Sequence, residues 1–417
     1  MRKKTTQHLN SQAYVSLIER LAPTNANPSL KRLAACCTLL LIPVLLSGCW
    51  DRTELNDVAI TLASAADAAP DNKIMITTEY PIPAKLGGKE GGGGDKPYVF
   101  LQGTGRTVRD VSQHVQKRMA RKINMSHRRV FVIGEEMAKR GVRPLFDQLG
   151  RFPENRLNGL MVVARGSGSE LLHGVTPIDE FSWEGLREIG KGRGRAVNNM
   201  KNVTQALNSL TVDTIMVYMG VEEIKDEGGK TSKQIKLLGY AQFKQDKMVG
   251  VYTGEQIEGI HWLMGQFIPY EVNVSLLPGQ TIVLNLMEGR STLKPYILPG
   301  NKIRFDLDIK AVCSVAENYG ELQLDDLMNI RKLSSEVSNS IKQSVESAFS
   351  QMQEKKTDSV GFGNRIFRKY PRPWLSRLQN NWNEEFPKVD LRIHVQTTIS
   401  HTGLTNNNIA KEEKKRG

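Results

Sequence analysis

Cysteine is scarce in this 417-residue chain: there are four, and three of them fall within the first 49 residues. Cys36 and Cys37 lie in an apolar segment, Cys49 stands just past its end, and Cys313 is alone in the alternating run Ile309–Val315. Past the apolar segment there is no disulfide framework and no zinc site of paired-cysteine spacing. Stability must then come from apolar cores, and Cys313 is expected to act as a small buried hydrophobe.

Long apolar runs are missing as well. After residue 48 no segment approaches the ~20 apolar residues that a spanning helix needs. The body is therefore expected to be soluble, or held to a membrane only through Cys49. Catalytic sets are also absent. His114, His127, His173, His261, His394 and His401 are scattered, and no His-x-x-x-His pair, CxxC or P-loop occurs. Gly166-Ser167-Gly168 lacks the frame of a nucleophile elbow. Glu135-Glu136 and Glu222-Glu223 are adjacent in sequence, so their side chains are expected to diverge. Gly103-Thr104-Gly105 opens like a dinucleotide fingerprint, but its third glycine position is Val108 and no ribose-binding acid follows. A tight strand-to-helix turn is expected there. No enzyme activity, cofactor or metal site is expected.

What remains is an ordinary globular composition, 39% hydrophobic and 24% charged, long enough for two or three domains. The formal net charge is +13. Residues 1–48 hold six Lys or Arg and one acid, so +8 stays with the remainder. Such a balance suits a protein near anionic headgroups and equally an ordinary basic solvated surface. No nucleic-acid module accompanies it, so nucleic acid is not an expected partner.

Residues 31–49 have the order of a secretory signal. Lys31-Arg32 precedes the apolar run Leu33–Leu46, which Pro43 interrupts and which is too short to span a bilayer. Leu46-Ser47-Gly48-Cys49 follows, the spacing of a bacterial lipobox. There the thiol takes a diacylglyceryl group, the chain is cut after Gly48, and the freed amine of Cys49 becomes open to N-acylation. The stretch before Lys31 is long for a signal, and no methionine lies between Met1 and Met75 to provide a later start.

Periodicity supplies the elements. Strands are expected over 73–80, 97–101, 130–133, 159–164 and 211–219, with helices over 134–140, 142–150, 181–190 and 197–210. A further helix carries Val108, Val111, Val115, Met119 and Ile123 on one face. Residues 190–195 read as a basic, glycine-rich hinge, a mobile loop in preference to a contact for phosphate headgroups. Residues 236–252 read as a hairpin, followed by a helix over 254–267 with His261 and Trp262 on its flank. Four strands are expected over 271–277, 281–288, 293–297 and 302–315. A long helix over 324–353 follows, with the stripe Leu327, Ile330, Leu333, Val337, Ile341, Val345, Phe349 and Met352. A last strand covers 389–400. The fold class is α+β, divided into a signal segment 1–48, an N-terminal mixed domain 49–195, a middle domain 196–269, a sheet-plus-long-helix domain 270–405 and a polar tail 406–417.

Gly48-Cys49-Trp50-Asp51-Arg52-x-Glu54-Leu55-Asn56 resembles the start of the mature Ger(x)C lipoproteins, the C subunits of nutrient germinant receptors in endospore-forming bacteria. Three further blocks agree: Ser126–Gly141 around Val130-x-Val132-Ile133-Gly134-Glu135-Glu136, the hairpin Gly239–Gly250, and a C-terminal set of Gly361-Phe362-Gly363, Lys369-Tyr370-Pro371, Trp374 and His401–Leu404. The resemblance implies three mixed α/β-type domains, no catalytic residues, and Trp50, Asp51, Glu54 and Leu55 as a family motif beside the lipidated Cys49. It implies a lipoprotein on the outer face of the spore inner membrane, with the integral-membrane A and B subunits of the receptor as partners. A lipid-anchored solute-binding protein of a transporter is the alternative, and a lipid-anchored envelope enzyme is a third reading.

Overall fold

The computed structural model describes Ser29, Glu54 and residues 57–401, apart from 86–95, 152–154, 177–178, 194–198, 226–227, 230, 278–279 and 320–321. Val58–Gly417 forms one compact unit. Its first half is built from β1 (Val58–Ile60), β2 (Ala63–Ala68), β3 (Ile74–Pro81), β4 (Tyr98–Gly105), α1 (Val108–Gln116), β5 (Lys122–Asn124), β6 (Val130–Gly134), α2 (Glu135–Arg140), α3 (Arg143–Arg151), β7 (Leu160–Ala164), α4 (Gly168–His173), α5 (Ser182–Arg193) and α6 (Met200–Leu207). β8 (Ile215–Lys225), β9 (Thr231–Lys244), β10 (Lys247–Tyr252) and α7 (Glu255–Met264) follow.

Eight of these strands make one sheet in the order β10-β9-β8-β7-β6-β2-β3-β4, and β1 pairs with β5 apart from it. β2, β6, β7 and β8 run parallel at its centre. Both β6 and β7 are buried at every position. Their short, unbroken apolar runs are what a strand covered on two faces requires. One core cluster lies on each face: Phe131, Ile133, Met161 and Val163 point to one, Val130, Val132, Val162 and Ala164 to the other. The sheet is continuous across position 195/196, where the sequence reading placed a boundary, because β8 pairs with β7. A separate four-stranded sheet begins just after position 269.

The helix expected through Ile123 stops at Gln116. Val108, Val111 and Val115 are buried, but Ile123 belongs to β5. Thr107 sets the start, its hydroxyl accepting the Asp110 N–H at 3.1 Å. Gly103 and Gly105 both lie within β4. The strand expected from Thr211 begins at Ile215. Residues 190–193, read as a hinge, are the last turn of α5. His261 and Trp262, expected on a helix flank, are both buried, because α7 packs against neighbours on more than one side.

The second sheet comprises β11 (Tyr270–Leu277), β12 (Gln280–Ile297), β13 (Ile303–Asn318) and β14 (Asp390–His401). Two strands expected over 281–297 are one, bent by register shifts rather than broken. The long helix α8 (Leu327–Glu354) returns the chain so that β14 lies parallel to β13. Its stripe is buried at Leu333, Val337, Ile341, Val345, Phe349 and Met352. Leu327 is 71% exposed, so the buried part of the stripe begins beyond the first turn. Cys313 is fully buried, and burial pushes its thiol up to about 11.

α7 and α8 approach closely. A Cβ on Gly259 would fall 2.1 Å from the Ser344 carbonyl oxygen, so only glycine fits the crossing. Beyond α8, Asp358 precedes α9 (Phe362–Lys369). One carboxylate oxygen accepts the N–H groups of Gly361 and Phe362, both at 2.8 Å. The other accepts the Gly363 N–H at 2.7 Å and the Trp382 indole N–H at 3.0 Å. Asp358 also exchanges bonds with Asp213, which precedes β8: the Asp213 N–H donates to the Asp358 carbonyl at 2.9 Å, and the Asp358 N–H to the Asp213 carboxylate at 3.0 Å. Lys244 reaches the same Asp213 at 3.3 Å. The two sheets are thus joined through this loop.

Asp358→Ala should lower unfolding stability by about 3–5 kcal/mol, since four buried donors lose their acceptor. Denaturant unfolding measures it. Gly259→Ala should cost about 1–3 kcal/mol by overpacking the α7–α8 crossing. A loss confined within experimental error for either variant would contradict these roles.

Candidate functional site

A cleft with a volume of about 730 Å³ lies where β6 and β7 begin. Arg129 stands immediately before β6. Its N–H donates to the Leu62 carbonyl at 2.8 Å, and its carbonyl accepts the Leu160 N–H at 2.8 Å. The backbone of Arg129 is therefore clamped between the starts of β2 and β7. Its half-buried side chain reaches the cleft, and no described carboxylate lies within ion-pair distance of it.

α5 supplies the opposite wall. Arg187 and Lys191 are four residues apart and share one helix face with Glu188 close by. Glu188 pairs with Arg187 at 2.9 Å and with Lys191 at 3.2 Å, so one carboxylate serves two cations. Gly190 allows this approach, since a Cβ there would meet the Leu160 side chain at 2.7 Å. Asn158, Asn199, Phe267 and Ile268 complete the lining. Phe267 is braced by Trp262, with ring centroids 5.2 Å apart. The result is a cleft with three cations, one anion and an apolar side, suited to an anionic group joined to apolar matter.

Other charged side chains tie helices to the sheet. Asp67 accepts the N–H groups of Gly168 at 2.6 Å and Ser169 at 2.9 Å, which fixes the start of α4. Glu135 and Glu136 do not diverge as expected: both reach Lys139, each at 3.0 Å, because the short helix α2 brings the lysine back over them. Glu135 also accepts from the Tyr218 hydroxyl and the Gly166 N–H, each at 3.0 Å. Arg128 is buried, bonded to Asn155 at 2.7 Å and stacked over Phe131. Burial pushes its guanidinium down to about 10, still cationic at neutral pH. Tyr240 and His261 are bonded at 2.8 Å. Among the described residues no group of three or more His, Cys, Asp or Glu could hold a metal ion.

Glu79 differs from these. Ser182 at the start of α5 donates to one carboxylate oxygen at 3.0 Å, while the other oxygen, fully buried, has no partner. Burial pushes the carboxyl up to about 7.

Of the sequence-derived site residues, Gly48, Cys49, Trp50, Asp51 and Leu55 lie outside the described residues. Glu54 is exposed, and its carbonyl accepts the Asp57 N–H at 3.0 Å. The family blocks further on fall on structural positions. The hairpin is β9–β10, Gly361-Phe362-Gly363 receives Asp358, and Lys369 covers the Tyr296 ring at 4.5 Å. The cleft was missed. Its sequence signals are the run of basic residues around Arg129 and the basic, glycine-rich segment from Gly190, and nothing local links the two.

The fold and site define a non-repetitive mixed α/β body with a polar cleft and, among the described residues, no helix long and apolar enough to cross a membrane. Two family models match it in tandem: a spore germination protein N-terminal domain over residues 51–221, and a spore germination B3/GerAC-like C-terminal domain over 238–403. The chain belongs to this GerAC-like family of spore germination proteins. It is 29% identical to spore germination protein YfkR of Bacillus subtilis, over 90% of this chain and 98% of the relative. It is 25% identical to spore germination protein KC of the same organism, over 90% and 97%. The crystal structure of the GerBC protein shares the fold, with a TM-score of 0.52 at 18% identity, over 81% of this chain and 96% of that one.

Because Glu79 has a folded-state pKa above its unfolded value, its ionisation opposes folding. The wild-type stability should be greatest, as far as this group is concerned, below pH ~4.3 and fall by up to about 3 kcal/mol as pH rises through 7. Glu79→Gln should flatten that limb, so the variant gains on wild type between pH 5 and pH 8. Parallel pH profiles in urea would refute the assignment.

Proposed function

We propose that this protein is the lipid-anchored subunit of a nutrient germinant receptor and works as a tethered interaction module without catalysis. The observation that carries this reading is the family match across both halves of the body, directly downstream of Leu46-Ser47-Gly48-Cys49. Cleavage after Gly48 leaves Cys49 as the new terminus, with its thiol diacylglycerylated. Trp50, Asp51, Glu54 and Leu55 then form the first stretch beyond the lipid. Two or three acyl chains at ~0.8 kcal/mol per buried CH₂ hold the body stably, where one chain would be marginal. Confinement raises its effective concentration beside membrane partners, so modest contacts suffice. Those partners are the integral-membrane A and B subunits, and the location is the outer face of the spore inner membrane.

Two measurements test the reading. Deleting the gene should abolish germination with at least one nutrient while leaving a receptor-independent trigger effective; a loss of both responses would place the defect elsewhere. Cys49→Ala should abolish acyl-label incorporation and shift the protein from lipid-modified to unmodified form, and persistence of label would show that the lipid sits on another residue.

A further inference from the structure

The chain enters the compact unit at Val58, nine residues after Cys49. Val58 pairs with Lys122 in the β1–β5 ladder, and Leu62, just ahead of β2, holds the Arg129 N–H. The entry point is therefore among the loops that precede β2, β6 and β7.

Those loops are basic. Lys117–Arg129 contains six Lys or Arg and no Asp or Glu. Lys117, Arg118, Arg121 and Lys122 are exposed. The loop ahead of β7 adds exposed Arg156, and its neighbour Leu157 is an apolar side chain left 54% exposed. Leu157 is held in place from behind, its carbonyl accepting the Lys201 N–H at 2.9 Å. The cleft opens in the same region, with Arg129 unmatched by any carboxylate among the described residues. The sequence places acids here as well: Asp51, Glu54 and Asp57 on the entering stretch and Glu154 ahead of β7, with Glu188 in the cleft, against a larger number of Lys and Arg.

We propose that this end of the body is a docking surface for anionic phospholipid headgroups, with the cleft receiving a headgroup phosphate beside Arg129 and Leu157 entering the interfacial layer. Three observations select a bilayer over other anions. The charge is spread over several loops rather than confined to the cleft. An exposed leucine sits among the cations, which suits an interface with an apolar floor. Nine residues of chain reach at most ~30 Å, so a lipid on Cys49 would hold the entry point at Val58, among these loops, within that distance of the membrane. Within a Debye length of ~8 Å the excess positive charge is then attracted to anionic lipid. Only the last of the three rests on the Cys49 anchor.

The test uses the unit Val58–Gly417, which carries both cores and has neither signal nor lipid. Its sedimentation with vesicles of phosphatidylcholine alone is compared with vesicles containing phosphatidylglycerol. Binding to the anionic vesicles should be at least about tenfold tighter and should vanish near 0.5 M salt. Combining Lys122→Glu, Arg129→Glu and Lys191→Glu should remove the preference, while Lys332→Glu on α8 should leave it intact. Because Arg129 is half-buried, a second set at exposed positions, Lys117→Glu, Arg121→Glu and Lys191→Glu, must weaken binding with an unchanged thermal transition. Equal binding to both vesicles, a preference that survives both charge-reversed sets, or affinity for inorganic phosphate without vesicle preference would overturn the proposal. Acyl labelling at Cys49 is read separately, so failure of the anchor and failure of this surface give different results.

Discussion

The buried carboxylate of Asp358 is the constraint on which the arrangement of the two sheets depends. Four N–H donors converge on it, three from the backbone of Gly361, Phe362 and Gly363 and one from Trp382. Through its own backbone it is also stitched to Asp213, at the foot of β8. Burial raises the carboxyl to about 6, while the surrounding donors hold it down, so it is ionised at neutral pH. Without that charge the start of α9 would carry unsatisfied amides in an apolar setting. Phe362 would also lose its place against Phe305, Phe349 and Phe386.

The same device recurs at smaller scale in the first half. Asp67 holds α4 to β2, and Ser182 on α5 is tied to Glu79 of β3. Each of these two carboxylates takes a helix start, and so sets where that helix lies. The cleft walls follow from these placements. α5 brings Arg187 and Lys191 opposite Arg129 because its other end is held at Glu79 and its packing against Leu160 is allowed by Gly190. The basic surface around the chain's entry point is thus a product of helix docking and not of one charged segment.

In this protein of the GerAC-like family the polar groups of the body serve mainly to hold its elements together. The carboxylates of Asp67, Glu79 and Asp358 each hold a helix start. Cys313 is enclosed under β14 and raised in pKa, a thiol suited to packing and not to reaction. The outer face of the second sheet alternates charged residues such as Lys294, Asp308 and Lys310 with buried ones, which leaves that face polar.

The sequence by itself determined many of the strands and helices, since periodicity is a local property, but it did not show β1, the central strand β2, β5 or the short helix α4. The apolar runs of β6 and β7, the β9–β10 hairpin, the long amphipathic helix α8 and the buried Cys313 were all legible in it. It placed element ends less well: α1 ends before Ile123 because Ile123 is needed to pair in β5, and Leu327 falls outside the buried stripe because α8 overhangs the sheet there. Only the tertiary structure decided that β8, β9 and β10 extend the first sheet, that Glu135 and Glu136 meet on Lys139, and which donors fill Asp358. It alone brought Arg129 within one cleft with residues some sixty positions later. Pairing partners and convergent charges are set by long-range packing, and a chain read one window at a time carries no record of which distant segment will arrive.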